Sequence, residues 1–460
     1  MNTIAAISTP IGQGGIGIIR ISGEKTLEIV NKIFKNKRNN EKFKSYTMRY
    51  GHIYDESELI DEVIVSYFKA PKSYTGEDVC EINCHGGNLV VKRILDVVLK
   101  NGADLAEPGE FTKRAFLNGK MDLSQAEAVI DVINSKSIKE NKISLQQLEG
   151  YLGRKIGEVK GNIMDILVDI EANIDYPEYD IEEVQRTKIN DVLGKSIIDL
   201  DILEKSFEEG KILKEGINTV IIGRPNVGKS SLLNALLKED RAIVTSVAGT
   251  TRDTIEENLT IKGIPLKIVD TAGIRETEDL VEGIGVEKSK KALENADLVL
   301  FLLDATEEIN DEDKKLLKLI ENKNYIILIN KIDVGQKIKK EHVAEMICTK
   351  ELEKIVEISA QKEIGLSSLE DIIEKMFNLS QIDVNNEIVI TNARHKKAIN
   401  DAKEEINNVL KSNNAGLPID MLSIDLQNAL QHLGEITGET VSEDVINGIF
   451  KKFCLGKWFR

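Results

Sequence analysis

The chain has 460 residues, 41% of them apolar and 30% charged, with a formal net charge of -16. That length holds about two to four domains, each able to bury its own core. Four cysteines and 33 glycines without a strict period exclude a disulfide-stapled or collagenous chain and fit a reducing cytosol, while the acidic balance excludes a general nucleic-acid coat but not a local basic patch.

The first ten residues lack the basic n-region of a signal peptide. No window approaches the ~20 apolar residues that span a bilayer, so a cytoplasmic protein without a membrane segment is expected. Residues 1–118 read as mixed α/β: the apolar runs Ile16–Ile21, Val63–Phe68 and Val79–Ile82 predict strands, and one helix is expected over Leu89–Leu99. From Met121 the period becomes helical. Leu145, Leu148, Leu152, Ile156, Val159, Ile163, Ile166 and Ile170 step by three or four, which predicts one continuous apolar stripe. Pro177 breaks it, and a further helical stretch is expected to about Gly210.

From Ile217 to Phe377 short apolar runs alternate with helical patterns: Val220–Ile222, Ile268–Val269, Leu298–Leu303, Ile326–Ile329 and Ile355–Ile358. Such runs predict parallel strands buried on both faces of a doubly wound sheet. Helical periodicity returns after Asn385 and continues almost to the end. The expected organisation is an N-terminal α/β domain (1–118) and a helical domain in two parts (119–215 and 381–460). A doubly wound α/β domain (216–380) is inserted between those parts.

After the run ending at Ile222 comes Gly223-Arg-Pro-Asn-Val-Gly228-Lys229-Ser230, which is G-x-x-x-x-G-K-S between a strand and a helix. Its backbone N–H groups suit a β-phosphate, Lys229 suits the β/γ oxygens, and the Ser230 hydroxyl suits Mg²⁺. Thr251, within Ala248-Gly-Thr-Thr-Arg252, is a second candidate Mg²⁺ ligand. Asp270-Thr-Ala-Gly273 can face the metal and the γ-phosphate. Asn330-Lys-Ile-Asp333 offers a carboxylate to the N1–H and N2–H₂ donors of guanine, and Ser359-Ala360 can support the base. The series in this order predicts a Ras-like GTP-binding domain. Its GTP contacts are expected from Asn226, Val227, Gly228, Lys229, Ser230 and Ser231, from Thr245, Ser246, Val247, Ala248, Gly249, Thr250 and Thr251, from Asp270, Thr271, Ala272 and Gly273, and from Asn330, Lys331, Asp333, Ser359 and Ala360.

Where Ras-type proteins carry a water-orienting Gln after D-x-x-G, this chain has Ile274, which cannot orient water. Glu282 is the candidate replacement, directly or through a bridging water; the other reading of it is a solvated acidic loop. Asn226 can give an amide oxygen to a monovalent cation placed where an arginine finger would put its charge, or it is an ordinary polar loop residue. Cys80 and Cys84 share a C-x₃-C spacing without a second ligand pair, which argues against a zinc site.

These motifs, together with Thr9-Pro-Ile-Gly-Gln-Gly-Gly-Ile-Gly-Ile-Ile-Arg-Ile-Ser-Gly23, Ser73-Tyr-Thr-Gly-Glu-Asp78, His85-Gly-Gly87, Pro108-Gly-Glu-Phe-Thr-Lys-Arg-Ala-Phe-Leu-Asn118, Gly434-Glu-Ile-Thr-Gly438 and Phe453-Cys-Leu-Gly-Lys457, carry a resemblance. Over essentially its full length the chain resembles the MnmE (TrmE) family of bacterial tRNA-modification GTPases. The resemblance implies work with the FAD-containing protein MnmG to place a (carboxymethyl)aminomethyl group on C5 of wobble uridine 34. It implies a homodimer formed through the N-terminal domain, and a tetrahydrofolate derivative (5-formyl or 5,10-methylene) bound by Arg20, Glu81, Lys120 and Lys457. The Gly12–Gly17 stretch would then serve tight turns beside the folate. The resemblance also implies K⁺, held by Asn226, Thr245, Val247 and Thr250, driving G-domain dimerisation and hydrolysis with Glu282 as catalytic glutamate. Cys454 is implied to be needed for the modification.

Two other readings are weighed. A ribosome-assembly or regulatory GTPase of the Era or EngA kind would carry a KH-like domain with a basic GxxG loop after residue 385, where the pattern is helical instead. A folate-dependent one-carbon enzyme with a regulatory G domain differs only in where the carbon goes.

Overall fold

A computed structural model describes residues 2–10, 12–36, 43–175, 182–239, 257–268, 292–346, 352–377 and 388–453. The chain divides into two units: Met1–Asn134, Ser144–Ile198 and Lys397–Arg460 in one, Ser135–Ile143 and Asp199–Lys396 in the other.

The first unit is built on seven strands, β1 (Ile4–Ile7), β2 (Ile16–Ser22), β3 (Phe34–Asn36), β4 (Thr47–Asp55), β5 (Glu58–Phe68), β6 (Val79–His85) and β7 (Asp104–Leu105). Their order is β3-β4-β5-β6-β2-β1-β7, and β1 pairs antiparallel with β2 but parallel with β7. Alternation decides which face is dry. Cys80, Ile82 and Cys84 of β6 join Ile19, Ile21 and Val65 in a core covered by α1 (Thr26–Ile33) and α2 (Asn88–Lys100). Each such aliphatic side chain contributes about 1.5–3 kcal/mol by leaving water. Gly17 of β2 is part of this packing, since a Cβ there would lie 2.4 Å from Val91 Cγ2. Its smallness serves the seat of α2 on the sheet rather than a turn for a ligand.

Helices α3 (Glu110–Leu117) and α4 (Leu123–Asn134) follow, then α5 (Ile138–Leu148) and α6 (Tyr151–Asp175). The expected continuous stripe is broken here. Gly150 sits at φ +81, the left-handed conformation that ends a helix, and Leu145 is 41% exposed. The four-residue step from Leu148 to Leu152 hides this break from periodicity. Beyond it Leu152, Ile156, Val159, Ile163, Ile166 and Ile170 are all buried.

The second unit carries β8 (Ile217–Ile222), β9 (Glu257–Ile261), β10 (Ile264–Ile268), β11 (Leu298–Asp304), β12 (Tyr325–Asn330) and β13 (Ile355–Glu357). The order is β13-β12-β11-β8-β10-β9, parallel except for β9. All seven residues of β11 are buried because each face has its own core. Leu298, Leu300 and Leu302 enter one, and Val299, Phe301 and Leu303 enter the other. The expected strand Ile268–Val269 is in fact the end of a hairpin, β9 to β10, turned at Lys262-Gly263 with φ +49 and +80. Val269 lies outside the described residues. The alternation of Leu259, Ile261, Ile264, Leu266 and Ile268 was the signal, weakened by Pro265 and Lys267 between them. Helices α7 (Glu182–Glu215), α8 (Lys229–Glu239), α9 (Asp311–Ile320), α10 (Lys340–Met346) and α11 (Leu366–Met376) precede α12 (Ala393–Asn414), α13 (Leu422–Thr437) and α14 (Glu443–Phe450), which from Lys397 on belong to the first unit.

Candidate functional site

Because β8, β11, β12 and β13 run parallel, the segments that leave them emerge at one edge of the sheet, where ligands of such sheets bind. Tertiary structure thus gathers motifs more than a hundred residues apart. Loop 223–228 leaves β8 and opens α8 at Lys229. Gly228 has φ +99, and a Cβ on it would lie 2.2 Å from Asn330 Nδ2, so only glycine fits. The Asn330 amide uses that closeness: Nδ2 donates to Val227 O at 2.8 Å and Oδ1 accepts from Ala360 N at 3.0 Å. One side chain joins the phosphate loop, the N-K-I-D segment and Ser359-Ala360.

Lys229 Nζ folds back to donate to Gly223 O at 2.6 Å and Arg224 O at 2.9 Å. Burial lowers its pKa, with Glu312 opposing. Asn226 is exposed at φ +64, a conformation asparagine tolerates better than other side-chain residues. Its carbonyl accepts from Lys331 Nζ at 2.7 Å, and the same ammonium meets Asp304 Oδ2 at 2.6 Å. Burial acts to raise the Asp304 carboxyl, but Lys331 and Thr306 outweigh it and hold it below its ordinary value. Asp333 is held below the usual carboxylate range first by the Ser359 hydroxyl, against its partial burial, and further by Lys362, whose Nζ is 3.7 Å away. Asp304 escaped the sequence reading, although an acid closing a buried parallel strand was the available signal.

Arg224 does not point toward the nucleotide side of the loop. Its Nε donates to Asp313 Oδ1 and its Nη1 to Glu307 Oε2, both at 2.9 Å. The Asp313 side chain is 0% exposed and also caps α9. Replacing Arg224 by Ala is therefore expected to cost on the order of 3 kcal/mol of stability in urea unfolding, by stranding a buried carboxylate. GTP turnover should stay within about threefold of the parent, where losing a charge-supplying finger would cost ~10³.

A second polar cluster lies in the first unit. Arg20 and Glu81 face each other across β2 and β6, paired at 2.8 Å. The Arg20 guanidinium carbon lies 5.3 Å from the Tyr74 ring centre and 5.6 Å from that of Phe111. Tyr74 and Lys120, with Tyr46, Phe68, Lys72 and Ser73, line an open groove of about 450 Å³. The structure thus brings Arg20, Glu81 and Lys120 around Tyr74, a residue that reading by charge alone passed over. Cys80 and Cys84 point into the core instead. Burial pushes both thiols up, Cys84 to about 11, so neither supplies a thiolate near neutral pH. Thr245, Ser246, Val247, Ala248, Gly249, Thr250, Thr251, Asp270, Thr271, Ala272, Gly273, Glu282, Cys454 and Lys457 lie outside the described residues.

A parallel sheet whose first loop is G-x-x-x-x-G-K-S and whose later strand leads into N-K-I-D is the architecture of a P-loop GTPase. Residues 3–120 match the family described as GTP-binding protein TrmE N-terminus, and residues 123–454 match the MnmE helical domain. The tRNA modification GTPase MnmE of Acetivibrio thermocellus is 50% identical over 458 residues, covering 99% of both chains. That of Thermoanaerobacter pseudethanolicus is 51% identical over 460 residues with the same coverage. Among solved structures, Era from Aquifex aeolicus aligns with a TM-score of 0.26 and 31% identity, over 41% of this chain and 65% of that one. The chain belongs to the MnmE family of tRNA modification GTPases, and it is a GTP-hydrolysing enzyme.

Proposed function

We propose that this chain acts in the cytoplasm as the GTP-hydrolysing half of a complex with MnmG. The complex adds a (carboxymethyl)aminomethyl group to C5 of wobble uridine 34 in tRNA. In this reading residues 1–118 bind a tetrahydrofolate derivative and form a homodimer, 216–380 are the G domain, and 119–215 with 381–460 are the helical domain. The observation that carries it is the presence on one chain of two separate constellations, the phosphate and base site and the Arg20–Glu81–Tyr74–Lys120 cluster. A folate suits the second, its carboxylate tail meeting Lys120 and its ring system meeting Tyr74 and Glu81. Arg20 already neutralises Glu81, so a pterin would share that carboxylate rather than find it free. Phe453 is buried against Gly109 at the start of α3, where a Cβ would meet its side chain at 2.9 Å. That contact brings the neighbour of Cys454 to the helix that carries Phe111, and it supports parts for Cys454 and Lys457 beside the folate.

In the G domain, loop 223–228 wraps the β-phosphate, and GTP must draw Lys229 away from the two carbonyls it now holds. Mg²⁺ held by Ser230 and Thr251 would neutralise charge on the β/γ oxygens. K⁺ held by Asn226, Thr245, Val247 and Thr250 would add fixed positive charge as the transition state forms. Glu282 would orient the attacking water. Mass spectrometry of wobble uridines from a strain lacking the gene tests the reading. Loss of the C5 group is expected. Unchanged tRNA with a ribosome-assembly defect would replace it by an Era-type role.

A further inference from the structure

We infer that a strip of lysines on either side of α3 is the surface on which this chain holds the phosphate backbone of single-stranded tRNA. The inference rests on the tRNA reading above and names where the RNA sits. With a net charge of -16, a polyanion can be held only where cations locally outnumber acids. Several cations of the first unit are matched: Arg114 with Glu77 and Glu110, Lys100 with Asp55 and Glu56, Lys160 with Glu439 and Lys188 with Asp169. Six lysines near α3 are not. Among the described residues, Lys69, Lys72, Lys113, Lys120, Lys451 and Lys452 have no carboxylate partner; Lys113 and Lys120 donate only to Asn447 Oδ1 and Pro71 O.

Contacts place them together. Lys72 closes a turn on Lys69, its N–H donating to Lys69 O at 3.0 Å. Lys72 and Lys120 line the same groove. Across α3, the Tyr74 and Thr112 hydroxyls meet at 2.8 Å next to Lys113. Lys113 reaches Asn447, whose carbonyl accepts from Lys451 N at 3.0 Å. Three nearby acids are engaged, Glu77 and Glu110 by the buried Arg114 and Asp78 by Tyr67 and the Ala70 N–H, which leaves the exposed Glu443 and Asp444 of α14 against the six lysines. Aromatic rings complete the surface. Tyr46, 61% exposed, stands edge-on to Phe68 at 5.8 Å, and these two rings serve the bases while Tyr74 is left to the folate. Lysines that track a backbone, with open rings on which bases stack, are what unpaired nucleotides need.

The test is fluorescence anisotropy of the full chain with an unmodified tRNA transcript over a range of KCl. The variants are Lys69→Ala/Lys451→Ala/Lys452→Ala and the same three positions changed to Arg. At about 0.7 units of salt slope per phosphate contact on a single strand, the Ala triple should flatten log K against log [salt] by about 2 and weaken binding about tenfold at 50 mM. The Arg triple should restore both. A parallel titration with a folate oligoglutamate should not change. Unchanged tRNA affinity and slope would overturn the inference, as would an equal loss in Lys315→Ala/Lys318→Ala, or a loss confined to the oligoglutamate. A parent chain that binds no tRNA would also overturn it, while the wobble-uridine analysis decides the tRNA reading independently.

Discussion

Exchanging KCl for NaCl at equal ionic strength is expected to slow GTP hydrolysis by this chain about a hundredfold, the scale of losing one preorganised electrostatic group at a transition state. Two observations lead there. Ile274 stands where a water-orienting Gln would be, and Arg224, the one arginine of the phosphate loop, is tied down by Asp313 and Glu307. The developing charge therefore needs another counter-charge, and the exposed Asn226 amide offers an oxygen for one. The backbone of Asn226 determines how to test it. At φ +64 an alanine would add strain of about 1–2 kcal/mol, so Asn226→Gly is the cleaner variant. It should hydrolyse GTP equally slowly in both salts while binding nucleotide as the parent does, because Lys331 holds the carbonyl of residue 226 and not its side chain. Glu282→Ala should slow hydrolysis in either salt and leave K⁺-dependent G-domain dimerisation intact. Equal parental rates in KCl and NaCl would remove the cation from the mechanism.

Asp333→Asn should weaken GTP binding at least about a hundredfold, close to 3 kcal/mol, by replacing charge-assisted hydrogen bonds to the guanine N1–H and N2–H₂ donors. Xanthosine triphosphate should bind the variant better than GTP does, since the new amide can donate to the O2 that replaces the guanine amino group. The fold should survive the change, because Asn330 rather than Asp333 joins the three loops. A side-chain amide can still accept from the Ser359 hydroxyl that now serves the carboxylate. Competition titrations with both nucleotides read the outcome. Undiminished GTP affinity would remove Asp333 from base recognition.

Much of the chemistry was legible in order along the chain. The G-K-S loop and N-K-I-D are defined by residue type and spacing, and their settings follow from apolar runs such as Leu298–Leu303 that only a doubly covered sheet can bury. Periodicity failed where two elements share a phase. Leu148 and Leu152 keep a helical step across Gly150, so the break at φ +81 is a backbone event that hydrophobic spacing does not encode. The β9–β10 hairpin was missed because Pro265 and Lys267 dilute the alternation of a short strand. Arg20, Glu81 and Lys120 could be named only through resemblance, since single charges 61 and 39 positions apart carry no local pattern. What joins them is the register of β2 against β6 and the seating of Tyr74 beside both Arg20 and the groove. The sequence alone determined which chemistries are present, because a motif's function lies in its residue types. Tertiary structure decided which charges are spent and which are open. Arg224 is consumed by a buried aspartate while, among the described residues, six lysines near α3 have no carboxylate partner, and pairing depends on distances that only the folded backbone sets.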